Sequence, residues 1–117
     1  MDEDTTVQQL KQMVADFRDA RNWRKYDTPK NLAASISIEA AELLEHFQWK
    51  TDLDVSEMIK ERAIVDEVSE ELADVLIYCL GFAETLQIDV SRALRAKLEK
   101  NARKHPPRTS PLAGTAK

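Results

Sequence analysis

Residues 38–45 read IEAAELLE and residues 70–76 read EELADVL, and both predict helices that carry acidic residues beside an apolar face. Each stretch sets two acids three residues apart inside an apolar helical pattern: Glu39 with Glu42, and Glu71 with Asp74. Residues three apart on an α-helix lie on nearly the same face. Two such helices packed face to face would therefore bring four carboxylates together.

Four converging carboxylates favour a bound cation. Carboxylates this close repel one another and lose hydration, unless cations lie between them. Hard divalent cations prefer oxygen ligands, and Mg²⁺ is the obvious one. The second stretch adds to the repulsion, because Glu70, Glu71 and Asp74 have no basic residue nearby in sequence. The residues alone leave one alternative open, in which the acids form a solvated edge of each helix.

The composition predicts one all-α domain for this chain of 117 residues. Only 2 glycines and 4 prolines occur, and three of the prolines lie in the last dozen residues. No run alternates β-branched or aromatic residues with polar ones, so no strand is predicted. Apolar spacing predicts four helices, at residues 5–21, 29–47, 56–87 and 90–104.

The boundaries of the domain follow from the same pattern. We expect the domain to span residues 1–105 and a disordered tail to occupy residues 106–117, which begin with two prolines. Residues 50–55 are polar and predict a loop before the third helix. That helix would be about thirty residues long, so the pattern also allows a break within residues 61–66.

Charge and cysteine content narrow the class of protein. The net charge is −4, yet residues 92–108 hold seven basic side chains against Glu99 alone. Such a chain is a poor candidate for nucleic-acid binding but could hold a small polyphosphate. The lone Cys79 cannot form an internal disulfide and predicts a cytoplasmic protein. We expect no signal peptide and no membrane span, since no apolar run reaches ~18 residues.

Several catalytic motifs are missing from the sequence. No Gly-rich phosphate loop occurs. Glu-x-x-His is absent, because Leu43 precedes His46 by three and Ala102 precedes His105 by three, which argues against a di-iron bundle. One cysteine and two histidines are too few for a zinc site, and no Ser-His-Asp triad can be argued. An oxygen-only site remains: Glu-x-x-Glu, 28 intervening residues, then Glu-x-x-Asp.

With these motifs in view, the sequence resembles the all-α nucleoside triphosphate pyrophosphohydrolases of the MazG-like superfamily, and within it the dCTP pyrophosphatase branch. The resemblance covers about residues 16–107. Six segments carry it: RNW at 21–23, PKNL at 29–32, EAAEL at 39–43, FQW at 47–49, ELADVLIY at 71–78 and KLEKN at 97–101. The paired acids alone are moderately specific, and together with FQW and KLEKN they are highly specific.

The resemblance implies a four-helix bundle-like fold that assembles as a homo-oligomer, either a dimer or a tetramer. It implies Mg²⁺-dependent hydrolysis of a nucleoside triphosphate, such as dCTP or a dCTP-like nucleotide, to the monophosphate and pyrophosphate. Carried over residue by residue, it implies three groups of site residues: metal-binding and catalytic Glu39, Glu42, Glu71 and Asp74; phosphate-binding Lys97, Lys100 and Asn101; and base-binding Trp23, Trp49 and Tyr78.

One residue departs from the family pattern and keeps the base preference open. Asp27 stands where the relatives associated with dCTP carry a histidine in a similar turn. Two other functions also stay open. A helical protein–protein interaction module would carry the acids as a solvated face, and a metal-dependent phosphatase or nuclease would use the same carboxylates.

Overall fold

The computed structural model describes residues 1–108, and all regular structure within that range is α-helical. Five helices follow one another along the chain: α1 (Val7–Ala20), α2 (Pro29–Glu45), α3 (Asp52–Met58), α4 (Arg62–Thr85) and α5 (Val90–Lys104). The all-α class predicted from the sequence is therefore confirmed. None of these five helices is both long enough and apolar enough to cross a membrane.

Polar caps determine where the first two helices begin. The Thr6 hydroxyl accepts a hydrogen bond from the backbone N–H of Gln9, and the Gln9 side chain accepts one from the backbone N–H of Thr6. This reciprocal pair is a capping box. Thr28 caps α2, whose first position is Pro29. Proline suits that position, because its missing N–H would have no partner there.

The structure corrects the prediction for the segment between α2 and α4. Residues 50–55 were expected to form a loop, but Thr51 caps α3 and forms a capping box with Asp54. Helix α3 ends at Met58 and α4 begins at Arg62, so the third predicted helix is two helices. The polar residues that suggested a loop are the caps and first-turn acids that stabilise a helix start.

The chain divides into two compact units, one from Met1 to Gln87 and one that begins at Ile88. In the first unit α2 packs along α4, and α1 also contacts α4. The second unit contains α5, which begins after its N-cap Asp89. The single domain expected for residues 1–105 stays a prediction. Most of the expected disordered tail, residues 106–117, lies outside the described residues.

Within residues 1–108 the buried core is small. Its apolar members are Ala15, Leu32 and Ala83, and Leu32 is only 1% exposed. Many large apolar side chains remain at the surface, among them Met13 (63% exposed), Ile38 (59%), Leu72 (47%), Leu76 (50%) and Leu98 (58%). The described part of the chain thus leaves many large apolar side chains uncovered.

Candidate metal centre

Helices α2 and α4 bring three of the four predicted acids together. One carboxylate oxygen from each of Glu39, Glu42 and Glu71 lies within 4.8 Å of the others. Glu39 and Glu42 share a face of α2 because they are three residues apart, and Glu71 faces them from α4. Asp74 lies outside this closest group, although its charge acts on Glu39 and Glu71.

The electrostatics of the cluster show that its negative charges oppose one another. A hydrogen bond with Glu42, then burial, then repulsion from Glu42, Asp74 and Glu71 raise the pKa of Glu39 to about 7. Burial and the charges of Glu42 and Asp74 also raise the pKa of Glu71, while nearby His46 acts in the opposite direction. A cation bound among these oxygens would relieve the same repulsion.

Two carboxylate oxygens in the cluster lack any hydrogen-bond partner. They are Oε2 of Glu39 and Oε2 of Glu71, and both atoms are buried. Buried polar atoms are nearly always satisfied, so each one without a partner needs an explanation. Hard oxygen donors from two helices are the ligand set that Mg²⁺ uses. The donor chemistry and the unpartnered oxygens therefore both fit a divalent cation.

A third buried carboxylate oxygen has a different explanation. Oε2 of Glu84 also lacks a hydrogen-bond partner, but it lies 3.5 Å from Nη1 of Arg18. This ion pair compensates its charge, so Glu84 needs no cation. The unexplained oxygens among the described residues are thus confined to the cluster of Glu39, Glu42 and Glu71.

The three aromatic residues predicted to contact a base differ in their surroundings. Tyr78 is half-buried on α4, and burial, followed by the charges of Glu39, Asp27 and Asp74, raises its pKa. It therefore lies beside the acidic cluster. Trp23 packs edge-to-face on Phe17, with ring centroids 5.6 Å apart. Trp49 is 88% exposed, so residues 1–108 of a single chain enclose no base-binding pocket around it.

The three predicted phosphate contacts lie on α5, in the second unit. Lys97, Lys100 and Asn101 are spaced three and four residues apart and share one side of that helix. Both lysines are exposed, whereas Asn101 is half-buried. Exposed ammonium groups on one helical face suit a polyanionic ligand.

One buried charged residue, Arg18, was not predicted from the sequence. It is only 5% exposed and donates hydrogen bonds to Asp27 (2.9 Å), to the carbonyl oxygen of Gly81 (3.2 Å) and to Thr85 (3.1 Å). A signal was present, because position 18 follows Val14 by four and falls on the apolar stripe of α1. A charged residue on such a stripe indicates a buried ion pair.

Comparisons with known proteins agree with this arrangement. A model described as the MazG-like family matches residues 34–110. The dCTP pyrophosphatase 1 of Rattus norvegicus is 35% identical over 104 residues, which cover 86% of this chain and 59% of the relative. The dCTP pyrophosphatase 1 of Homo sapiens is likewise 35% identical, with the same coverage. This chain therefore spans less than two thirds of the length of these relatives.

A solved structure also matches closely. A pyrophosphatase from Archaeoglobus fulgidus is 49% identical in sequence and superposes with a TM-score of 0.75. The match covers 82% of this chain and 88% of that chain. At 49% identity, this chain resembles that pyrophosphatase in amino-acid sequence as well as in fold.

Proposed function

This chain belongs to the MazG-like family, and we propose that it is a Mg²⁺-dependent nucleoside triphosphate pyrophosphohydrolase. The observation that carries the proposal is the cluster of Glu39, Glu42 and Glu71, with two buried oxygens that lack partners. A purely solvated acidic face would not bury such oxygens. The named relatives, dCTP pyrophosphatases and a pyrophosphatase, support the same reaction class.

The carboxylates of Glu39, Glu42, Glu71 and Asp74 would hold the metal. Bound Mg²⁺ supplies charge for the phosphate oxygens and lowers the pKa of a coordinated water. The chain's own contribution would be to hold these acids on the facing sides of two helices, so that the phosphates are aligned when they bind. Hydrolysis breaks the bond between the α- and β-phosphates and yields a monophosphate and pyrophosphate.

Residues outside the cluster would bind the two ends of the nucleotide. Lys97, Lys100 and Asn101 would contact the phosphates, as charged and amide donors do. Trp23, Trp49 and Tyr78 would contact the base, since an aromatic ring stacks on any base. Because the relatives are named for dCTP, we propose dCTP or a similar nucleotide as substrate.

The working form is proposed to be a homo-oligomer, a dimer or a tetramer. The described part of the chain buries few apolar side chains and exposes many. A second copy that covered them would complete the core, and it would also enclose Trp49, which is open to solvent here.

A panel of nucleotides with resolved products tests the proposed function. The protein is incubated with Mg²⁺ and each common ribo- and deoxynucleoside triphosphate, and the products are separated. We expect a monophosphate and pyrophosphate in equal amounts, with dCTP among the good substrates. Release of orthophosphate without pyrophosphate would indicate a phosphatase and refute the proposal. Omission of Mg²⁺ with a chelator present should stop the reaction.

A further inference from the structure

The buried guanidinium of Arg18 joins three parts of the first unit. It extends from α1 and donates to Asp27, which lies in the segment before α2. It also donates to the carbonyl oxygen of Gly81 and to the hydroxyl of Thr85, both on α4. A planar guanidinium has five donors in a fixed fork, so one side chain can hold several partners in a set geometry.

The contact with α4 is close at position 81, where glycine leaves room for the guanidinium. A Cβ atom built on Gly81 would lie 3.2 Å from Nη1 of Arg18, closer than most such contacts. Glycine thus lets the guanidinium approach the helix backbone closely enough to use its carbonyl oxygen. Arg18 also forms an ion pair with Glu84 of α4, at 3.5 Å. Glu84 is thus its second charged partner, after Asp27.

The segment held by Arg18 is the aromatic loop, residues 21–28. Besides the contact with Asp27, the backbone carbonyl of Arg18 accepts a hydrogen bond from the N–H of Trp23 at 3.1 Å. The side-chain amide of Asn31 donates to the carbonyl of Tyr26 at 2.8 Å. The aromatic loop is therefore tied to helices at Trp23, Tyr26 and Asp27. An ion pair of Arg24 with Glu84, at 2.9 Å, ties the same loop to α4.

The face of α4 that Arg18 contacts is also the face that carries the acids. Glu71, Asp74, Tyr78, Gly81 and Thr85 follow one another at intervals of three and four residues, so they form one stripe along the helix. The acids occupy the N-terminal part of this stripe and the Arg18 contacts occupy its C-terminal end. Arg18 thus fixes the aromatic loop relative to the helix that holds half of the metal site.

We propose that Arg18 is a positioning residue: through Asp27 it fixes the aromatic loop, and so sets the affinity for the base of the nucleotide without touching it. The inference rests on the proposed function, in which Trp23 contacts the base. Because Arg18 is only 5% exposed, a direct contact with substrate is excluded in this arrangement. Its effect therefore passes through the residues that it holds, and Asp27 is the one that belongs to the aromatic loop.

The test uses Asp27→Ala, which removes the bond from the Arg18 guanidinium to the aromatic loop while Arg18 keeps Gly81, Thr85 and Glu84 as partners. The backbone bond of Trp23 and the ion pair of Arg24 with Glu84 remain in this variant. Asp27→Asn retains an acceptor oxygen and serves as the conservative variant. The matched control is Asp66→Ala, because Asp66 also accepts from an arginine at 3.0 Å but is 62% exposed. Each protein is assayed for kcat, for KM with its best nucleotide, and for inhibition by inorganic tripolyphosphate, which lacks a base.

We expect Asp27→Ala to raise KM about five- to twenty-fold, as partial loss of a stacked base does, with kcat changed less than about two-fold. Inhibition by tripolyphosphate should stay unchanged, because the phosphates bind elsewhere. Asp27→Asn should recover most of the affinity, and the control should match the wild type. If Asp27→Ala does not fold, Arg18→Lys replaces it, since lysine keeps the charge but loses the fork.

Three results would overturn the inference. An unchanged KM would show that the tie does not affect base binding. An equal weakening of nucleotide and tripolyphosphate binding would show a general structural role. A wild-type protein that releases no pyrophosphate from any nucleotide would refute the proposed function itself, and this is measured before any variant.

Discussion

Replacing Glu39 by glutamine tests whether repulsion among the clustered carboxylates destabilises the metal-free protein. In the folded protein the pKa of Glu39 is raised to about 7, from an ordinary value of 4.5. The native state therefore binds more protons than the unfolded state between these pH values. By linkage, the stability that the folded protein gains from protonated Glu39 is fully present below pH 4.5. It is lost as the pH rises through about 7.

The size of the effect follows from the same shift. The difference between the two pKa values sets an upper limit of about 3 kcal/mol on the stability lost at pH 8. Water around the half-buried carboxylates screens the repulsion, so we expect about 1 kcal/mol. For a chain of 117 residues that corresponds to about 4 °C in Tm. Glu39→Gln removes the charge and should recover this amount in metal-free protein at pH 8.

Thermal unfolding at pH 5 and pH 8, with a chelator or with Mg²⁺, measures the effect. The wild type should lose stability from pH 5 to pH 8 without metal and regain it when Mg²⁺ is added at pH 8. Glu39→Gln should be more stable than the wild type without metal and should respond little to Mg²⁺. Glu45→Gln, an exposed acid at the end of the same helix, is the control and should behave like the wild type. Equal stabilisation of all three proteins by Mg²⁺ would refute the reasoning.

Further predictions concern catalysis, packing and assembly. Glu42→Gln and Asp74→Asn should each abolish pyrophosphate release while circular dichroism shows an unchanged helix content; retained turnover in either would remove that residue from the site. Leu32→Ala should lower the free energy of unfolding by about 2–5 kcal/mol, since Leu32 is 1% exposed. Leu53→Ala, at a side chain 72% exposed, should cost less than about 1 kcal/mol, and equal losses would contradict the described core. Light scattering should give the mass of two or four chains; a monomer at assay concentration would show that the exposed apolar side chains need no partner copy.

The helices and the acidic cluster could be predicted largely from local sequence. The spacing of Glu39 and Glu42 fixes a shared face on any helix, and Thr28 followed by Pro29 marks a helix start. Apolar residues beside the acids indicate which face packs inward. These signals are local, so they survive without knowledge of the partner helix. They place Glu39 beside Glu42, whereas the approach of Glu71 depends on how α4 packs on α2, and Asp74, predicted as the fourth member, lies outside the closest group.

Other features depend on contacts that local sequence does not specify. Arg18 bonds to residues 63 and 67 positions away, so its burial depends on how α1 packs on α4. Its position on an apolar stripe was the available signal, but its partner Asp27 could be identified only from the fold. Helix α3 was not predicted because its local sequence is misleading. Its capping residues, Thr51 and Asp54, have the composition of a loop.

The structure also explains why an aspartate occupies position 27. The sequence marked it as a departure from the relatives associated with dCTP, without a reason for the change. Its carboxylate is only 20% exposed and pairs with the buried Arg18 at 2.9 Å. A buried guanidinium needs compensating charge, and Asp27 supplies it together with Glu84, which lies 3.5 Å from Arg18.

Anomalous diffraction from crystals grown with Mn²⁺ and a non-hydrolysable nucleoside triphosphate analogue would locate the metal site. We predict a metal peak at bonding distance from the oxygens of Glu39 and Glu42 on one helix and Glu71 on the other, beside the phosphates. A metal peak held elsewhere, with these three carboxylates free, would contradict the account.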